Sequence, residues 1–192
     1  DVLVTDDRFK LLSFTGSDVV GWDMKARAGR KKVVLELGGN AAVMIEPDTE
    51  INDALITRLV GGAYGRAGQV CISVQRILVH QDIYAEVRDK LLAKLKHLKA
   101  TDPNLSTTLV GPMIKEAEAK RLKKWLEKAL KKDARILAGG ELDGVMFAPT
   151  LLENVDHNLE IYRDEVFGPV AMIEPYPDFE AGIACINRSR FG

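Results

Sequence analysis

The sequence has few thiols and few imidazoles. It contains only two cysteines, Cys71 and Cys185, among 192 residues. That number is too small for a disulfide scaffold and is typical of a reducing compartment, where a thiol is either structural or catalytic. The three histidines, His80, His97 and His157, lie far apart, without Cys-x-x-Cys or His-x-x-x-His spacing. From the sequence we therefore predict no metal site.

The chain also lacks an excess of charge and any long apolar run. Its formal net charge is -1, whereas nucleic acids and anionic membranes are bound by concentrated basic surfaces. No apolar run approaches the roughly 18 residues that span a bilayer, and the first residues lack the features of a signal peptide. The sequence thus predicts a cytoplasmic protein that binds neither nucleic acid nor membrane.

What the sequence does contain is the alternation of an α/β protein. Short β-branched or apolar runs alternate with longer stretches of helical period, which predicts a mostly parallel sheet flanked by helices. The predicted strands cover 11–14, 31–37, 41–45, 76–79, 135–138, 150–155 and 170–176. The predicted helices cover 18–28 and 52–64. Apolar residues that recur at helical spacing predict two further helices, within 83–98 and 122–130.

A first candidate site is the segment Phe14-Thr15-Gly16-Ser17, where a strand runs through a small-residue turn into a helix. The free N–H groups and partial positive charge of a helix N-terminus can hold a cofactor phosphate. An ordinary capped helix after a tight turn explains the segment equally well.

A second candidate is Glu36, which lies in Leu35-Glu36-Leu37-Gly38-Gly39-Asn40. Apolar neighbours disfavour the charged form of a carboxylate, which suits a general base that takes a proton from water. The alternation along the strand also permits Glu36 to point outward from the sheet.

A third candidate is Cys71, at the end of Gly65-Arg66-Ala67-Gly68-Gln69-Val70-Cys71. These glycines fit neither a dinucleotide fingerprint nor a P-loop. A thiol after a flexible glycine segment is within reach of substrate, and nearby backbone N–H groups can favour the thiolate and bind an oxyanion. A single cysteine can equally be a small buried hydrophobe, which is our interpretation of Cys185 in its apolar, helix-like setting.

A fourth candidate is Asp164-Glu165-Val166-Phe167-Gly168-Pro169-Val170. The carboxylate of Glu165 can accept hydrogen bonds from both hydroxyls of a ribose, and the Phe167 ring can pack on the neighbouring sugar or base. The alternative is a turn that Phe167 anchors to the core.

Taken in order and spacing, these four segments resemble the aldehyde dehydrogenase family over essentially the whole chain. Lesser matches lie between them, at Gly111-Pro112, Gly139-Gly140 and Pro149-Thr150-Leu151. The resemblance implies an NAD(P)-dependent enzyme that oxidises a small-molecule aldehyde to a carboxylic acid through a cysteine thioester. It makes Cys71 the nucleophile and Glu36 the base for thioester hydrolysis. It places five residues in the site for NAD or NADP, namely Gly16, Ser17, Leu37, Glu165 and Phe167.

The resemblance also implies a domain organisation. Residues 1–38 would be the end of a Rossmann-like dinucleotide-binding domain, and residues 39–192 a catalytic domain incomplete at its C-terminus. Family members have an upstream segment with most of the cofactor domain and an oxyanion-hole asparagine, and a downstream segment with an oligomerising arm. We therefore expect a chain truncated at both ends, which forms a homo-oligomer when full length.

Two alternatives stay open beside hydrolytic aldehyde oxidation. In a CoA-acylating aldehyde dehydrogenase, CoA rather than water would take the acyl group from Cys71. In a structural fragment, the catalytic domain would fold without turnover of its own. The identity of the aldehyde and the choice between NAD and NADP depend on residues outside this sequence.

We expect the 192-residue chain by itself not to oxidise aldehydes at a useful rate. Positioning the reacting groups can account for roughly 7–11 kcal/mol of an activation barrier. The resemblance assigns many of the residues that position the cofactor to the upstream segment. The measurement is the absorbance of reduced cofactor during incubation with a panel of aldehydes and NAD or NADP. Robust turnover that depends on Cys71 would contradict this expectation.

Overall fold

The helical and β-strand periodicities of the sequence are both realised in the computed structural model, which describes residues 1–191. The chain divides into two units, Asp1–Gly38 and Gly39–Gly192. Among the helices described, none combines the length and the apolar character that crossing a membrane requires.

The first unit is a pair of parallel strands joined by a helix. Parallel neighbours need a crossover connection, and the ten-residue helix α2 provides it. The Ser17 side chain caps this helix by accepting a hydrogen bond from the Val20 N–H at 3.5 Å. The elements of this unit are α1 (Val2–Thr5), β1 (Leu11–Thr15), α2 (Asp18–Arg27) and β2 (Lys32–Glu36).

The second unit contains a five-stranded sheet with the strand order β3-β4-β9-β8-β5. Its neighbours are parallel except for β5, which lies antiparallel to β8 at one edge. Strands β6 and β7 form a separate antiparallel ribbon. The elements are β3 (Ala41–Ile45), α3 (Asp53–Tyr64), β4 (Val74–His80), α4 (Tyr84–Leu95), α5 (Glu116–Leu130), β5 (Arg135–Ala138), β6 (Leu142–Asp143), β7 (Met146–Phe147), β8 (Thr150–Glu153), α6 (Glu160–Arg163), β9 (Val170–Tyr176) and α7 (Phe179–Ile186).

The core of the second unit lies on both faces of this sheet. Successive side chains of a strand point to opposite faces, and β9 accordingly sends Ala171 and Ile173 into one hydrophobic cluster and Met172 into the other. Helices α3 and α4 pack on the first face, and α5 packs on the second. The sheet is therefore covered by helices on both sides, as the sequence predicted.

The predicted α/β class is confirmed, and the predicted strands lie at the observed positions. Two strand boundaries were wrong by two residues, because β4 begins at Val74 rather than Arg76 and β8 ends at Glu153 rather than continuing to Val155. Asn154 takes a left-handed backbone conformation with φ 55°, which breaks the extended path of a strand. The sequence analysis also missed the β6–β7 ribbon and the four-residue helices α1 and α6, which are too short to show a period.

Replacing Leu126 of α5 by alanine should cost about 2–5 kcal/mol of unfolding free energy, because a fully buried leucine leaves a cavity. Leu126 is 0% exposed, whereas Leu130 on the same helix is 40% exposed and serves as the matched control. Urea denaturation of L126A and L130A measures the difference. Equal losses in the two variants would contradict the packing of α5 on the sheet.

Candidate functional site

In the first unit, the predicted site residues gather at the carboxyl ends of the two parallel strands. Thr15 of β1 lies opposite Glu36 of β2, and the N–H of Gly16 donates to the carbonyl oxygen of Glu36 at 3.0 Å. Ser17 follows as the first capping residue of α2. Gly16, Ser17 and Glu36 therefore share one edge of this unit, where the N–H groups at the start of α2 are presented.

The side chains of Glu36 and Leu37 have different surroundings. Glu36 and Val34 are both exposed on β2, so the outward orientation is observed rather than the apolar enclosure. Leu37 packs against Gly21 of α2, where a Cβ atom would overlap the Leu37 side chain. Leu37 thus has a structural role within this unit, and its contact with a cofactor stays a prediction.

In the second unit, Cys71 follows a tight turn at the end of α3. The 3-10 turn Gly65–Gly68 contains consecutive left-handed residues, with φ 53° at Arg66, 56° at Ala67 and 64° at Gly68. Non-glycine residues take this conformation uncommonly. The turn buries Ala67 and Gly68, whereas Cys71 is exposed before β4 begins. Cys71 therefore lies in a loop between the glycine turn and β4, and it is not a buried hydrophobe.

The turn before Cys71 packs directly against the segment that follows Phe167. A Cβ atom on Gly68 would collide with the backbone carbonyl of Gly168. Only glycine leaves room for this approach, and its positive φ adds a second reason for glycine at this position. The close packing brings the segment of Cys71 and the segment of Glu165 and Phe167 together.

Gly39 contacts both of these segments. Its N–H donates to Oε1 of Glu165 at 3.1 Å, and a Cβ atom on Gly39 would lie 2.8 Å from the carbonyl oxygen of Cys71. A small cavity is lined by Gly39, Gly68, Val70, Glu165 and Phe167. Within the second unit, the structure thus brings together Gly39, the cysteine turn and the acidic and aromatic segment.

Two buried amides fix the backbone that carries Glu165. Gln75 of β4 donates to the carbonyl oxygen of Asp164 at 2.8 Å and accepts from the N–H of Val166 at 2.9 Å. Asn40 donates to the carbonyl oxygen of Tyr162 at 2.8 Å. Sequence reasoning missed both amides. The signals that could have found them are a polar residue inside an apolar strand and an asparagine directly after a glycine pair.

Phe167 does not anchor its turn to the core. Its φ of 46° places a bulky residue in the left-handed region, and 40% of the residue is exposed. A conformation of this kind persists only when the surrounding structure imposes it. The alternative in which Phe167 is a buried anchor was therefore wrong, and the ring is available for contact with a ligand.

Comparison with known proteins gives a consistent picture. The model of the aldehyde dehydrogenase family matches residues 1–192. The 3-sulfolactaldehyde dehydrogenase of Priestia aryabhattai is 38% identical over 190 residues, which cover 99% of this chain and 40% of the relative. The chain thus spans about 40% of the length of such curated relatives.

Two solved structures are similar in fold and sequence. Aldehyde dehydrogenase 21 from Physcomitrella patens, in complex with the reaction product succinate, has a TM-score of 0.93 and 43% identity, covering 97% of this chain and 39% of that one. The glyceraldehyde-3-phosphate dehydrogenase of Methanocaldococcus jannaschii, complexed with NADP, has a TM-score of 0.93 and 36% identity, covering 99% of this chain and 41% of that one.

Replacing Gly68 by alanine should destabilise the protein more than the same change at Gly144. Both glycines have positive φ, 64° and 59°, but a Cβ atom at Gly144 meets nothing within 4 Å. The left-handed strain of about 1–2 kcal/mol is therefore common to both variants, and overpacking adds roughly 1–3 kcal/mol at Gly68 alone. Urea denaturation of G68A and G144A checks this, and equal destabilisation would contradict the close approach to Gly168.

Proposed function

Because the chain belongs to the aldehyde dehydrogenase family, we propose that it carries the nucleophile, the general base and part of the cofactor site of an NAD(P)-dependent aldehyde dehydrogenase. The observation that supports this most directly is the meeting of the Cys71 turn with the Glu165 segment at Gly39. The segments that carry the Cys71 thiol and the Glu165 carboxylate, which can accept hydrogen bonds from a ribose, thereby contact the same residue, Gly39.

The first half of the proposed reaction belongs to Cys71. Its thiolate attacks the carbonyl carbon of the aldehyde, so that a C–S bond forms and the carbonyl oxygen becomes an oxyanion. The backbone N–H of Cys71 donates a hydrogen bond to that oxyanion. A nicotinamide cofactor, when bound, would accept the hydride that leaves the same carbon. Cys71 then holds the acyl group as a thioester.

The second half belongs to Glu36, which accepts a proton from water. The water oxygen attacks the thioester carbon, the C–S bond breaks, and a carboxylic acid leaves while Cys71 regains its thiolate.

The residues proposed for the cofactor have chemistry that fits it. The N–H groups at the start of α2, beside Gly16 and Ser17, suit the pyrophosphate. The Glu165 carboxylate suits the hydroxyls of the nicotinamide ribose, and the exposed ring of Phe167 suits the adjoining end of the cofactor. Leu37 completes the proposed set. The cofactor is NAD or NADP, and NADP is present in the Methanocaldococcus jannaschii relative.

We assign one unit to the dinucleotide-binding domain and the other to the catalytic domain. Unit Asp1–Gly38 has a strand, a crossover helix and a parallel strand, as in dinucleotide-binding domains, and we assign it to the end of such a domain. Residues 39–192 are assigned to the catalytic domain. The substrate class is a small-molecule aldehyde, and the cytoplasmic location and homo-oligomeric assembly stay predictions.

In the whole enzyme, Cys71→Ala should abolish aldehyde oxidation, whereas Glu36→Gln should chiefly slow the release of the acid. A nucleophile is needed for every step, while loss of a general base typically costs about 10²–10⁴-fold in steady-state rate. E36Q should therefore retain a first burst of reduced cofactor, followed in stopped-flow absorbance. Glu50→Gln, which changes another exposed glutamate, is the matched control.

Two results would contradict the proposed residue roles. Substantial oxidation by C71A would remove Cys71 from the mechanism, and a burst lost in E36Q would mean that Glu36 also activates the thiol. Product analysis with added CoA distinguishes hydrolysis, which gives free acid, from CoA acylation, which gives acyl-CoA.

A further inference from the structure

Three side chains with donor atoms for a metal ion meet on elements that the proposed catalytic mechanism does not use. His157 precedes α6, Glu174 lies on β9, and Cys185 lies on α7. Their nitrogen, oxygen and sulfur atoms all lie within 4.8 Å of one another. His157 Nε2 is 2.7 Å from one carboxylate oxygen of Glu174, and Cys185 Sγ is 3.3 Å from the other.

Tyr162 holds this cluster in place. Its hydroxyl donates a hydrogen bond to Glu174 and lies 3.2 Å from the sulfur of Cys185. Its ring stacks on the imidazole of His157, with centroids 3.9 Å apart and planes 14° from parallel. Arg76 of β4 donates to the carbonyl oxygen of Cys185 at 3.2 Å. The donor atoms are therefore positioned before any ion arrives, which reduces the cost of binding one.

We propose that His157, Glu174 and Cys185 form a binding site for Zn²⁺. Zinc accepts imidazole nitrogen, carboxylate oxygen and thiolate sulfur together, whereas magnesium and calcium prefer oxygen ligands alone. Zinc–ligand bonds of about 2.0–2.3 Å place neighbouring ligand atoms roughly 3.2–3.8 Å apart in a tetrahedron. The observed separations of 2.7 Å and 3.3 Å from the Glu174 oxygens, and the limit of 4.8 Å that holds for all three donor atoms, differ from those values by about 1 Å or less.

An ion can reach the site from solvent. The His157 side chain is 35% exposed and the Glu174 side chain 20% exposed, so the cluster is near the surface. A water molecule fills the fourth position of the tetrahedron, as at zinc sites with three protein ligands. The ion would then join the segment before α6, the strand β9 and the helix α7.

The protonation states of the ligands determine which protons are released when Zn²⁺ binds. Burial acts to raise the pKa of Glu174, but hydrogen bonds from His157 and Tyr162 outweigh it and hold the pKa below its usual value. The carboxylate is therefore already ionised. Burial raises the pKa of the Cys185 thiol, so a Zn–S bond forms as the thiol proton leaves to solvent. Two anionic ligands then neutralise the charge of the ion without any redox change.

The same contacts also form a hydrogen-bonded network without a metal, so the test must report on the Cys185 sulfur itself. The experiment uses the 192-residue chain with Cys71→Ser, in which Cys185 is the sole remaining thiol. Titration with Co²⁺ should produce a thiolate-to-cobalt charge-transfer band and visible absorption typical of tetrahedral cobalt. Added Zn²⁺ should displace the cobalt and remove both.

The ligand variants give the matched comparison. In the C71S background, His157→Gln and Glu174→Gln should each weaken cobalt binding by roughly 10–100-fold or more. Loss of a residue that only hydrogen-bonds to a metal ligand already weakens binding by that factor. His97→Gln, which changes an exposed histidine two residues after α4, should leave the affinity unchanged. Far-ultraviolet circular dichroism checks that each variant is folded.

A second measurement needs no ligand variant. Zn²⁺ should slow the alkylation of Cys185 in folded C71S at least tenfold, followed by mass spectrometry. Absence of the charge-transfer band, or an unchanged alkylation rate with zinc present, would overturn the proposal and leave the cluster as a hydrogen-bonded network only. Equal cobalt affinity of H157Q, E174Q and the C71S parent would overturn it as well.

Discussion

The candidate site depends on close backbone packing that only glycine, which has no Cβ atom, allows. Gly39 lies against the carbonyl of Cys71 while its N–H binds Glu165, and Gly68 lies against the carbonyl of Gly168. Because the main chain makes these contacts, the Cys71 thiol and the Phe167 ring are left exposed. The segments are thereby fixed without using the groups that would meet substrate and cofactor, and Gln75 and Asn40 extend the same support behind them.

Much of the fold could be predicted from the sequence because its periodicity reports directly on burial. Strands β3, β5 and β9 were predicted with the bounds observed, since each is an uninterrupted apolar or β-branched run. The end of β8 could not be predicted, because Asn154 takes its left-handed conformation beside a tertiary partner, the carbonyl of Asp133, to which its amide donates at 2.9 Å. Contacts of that kind leave no periodic signal.

The site was predictable to the extent that its residues follow one another in sequence. The turn before Cys71 and the segment around Glu165 were recognised as local patterns, and the structure brings them together. The exposure of Glu36 was not decided by sequence, because it depends on which face of β2 meets the core. The strained backbone of Phe167 was not decided either, because it lies in a turn whose next residue packs on Gly68. The cluster of His157, Glu174 and Cys185 was missed for a related reason, since spacing rules search one segment and these residues come from three.

The left-handed backbone of Phe167 carries a trade-off between stability and activity. A non-glycine residue held in a sparsely populated region costs on the order of 1–3 kcal/mol, and the 40% of Phe167 that is exposed contributes no burial to offset that strain. Selection for stability alone would favour glycine or asparagine at this position, since both adopt φ 46° with less strain. An aromatic residue at this position therefore stores backbone strain in the folded state while it presents the exposed part of its ring for contact with a ligand.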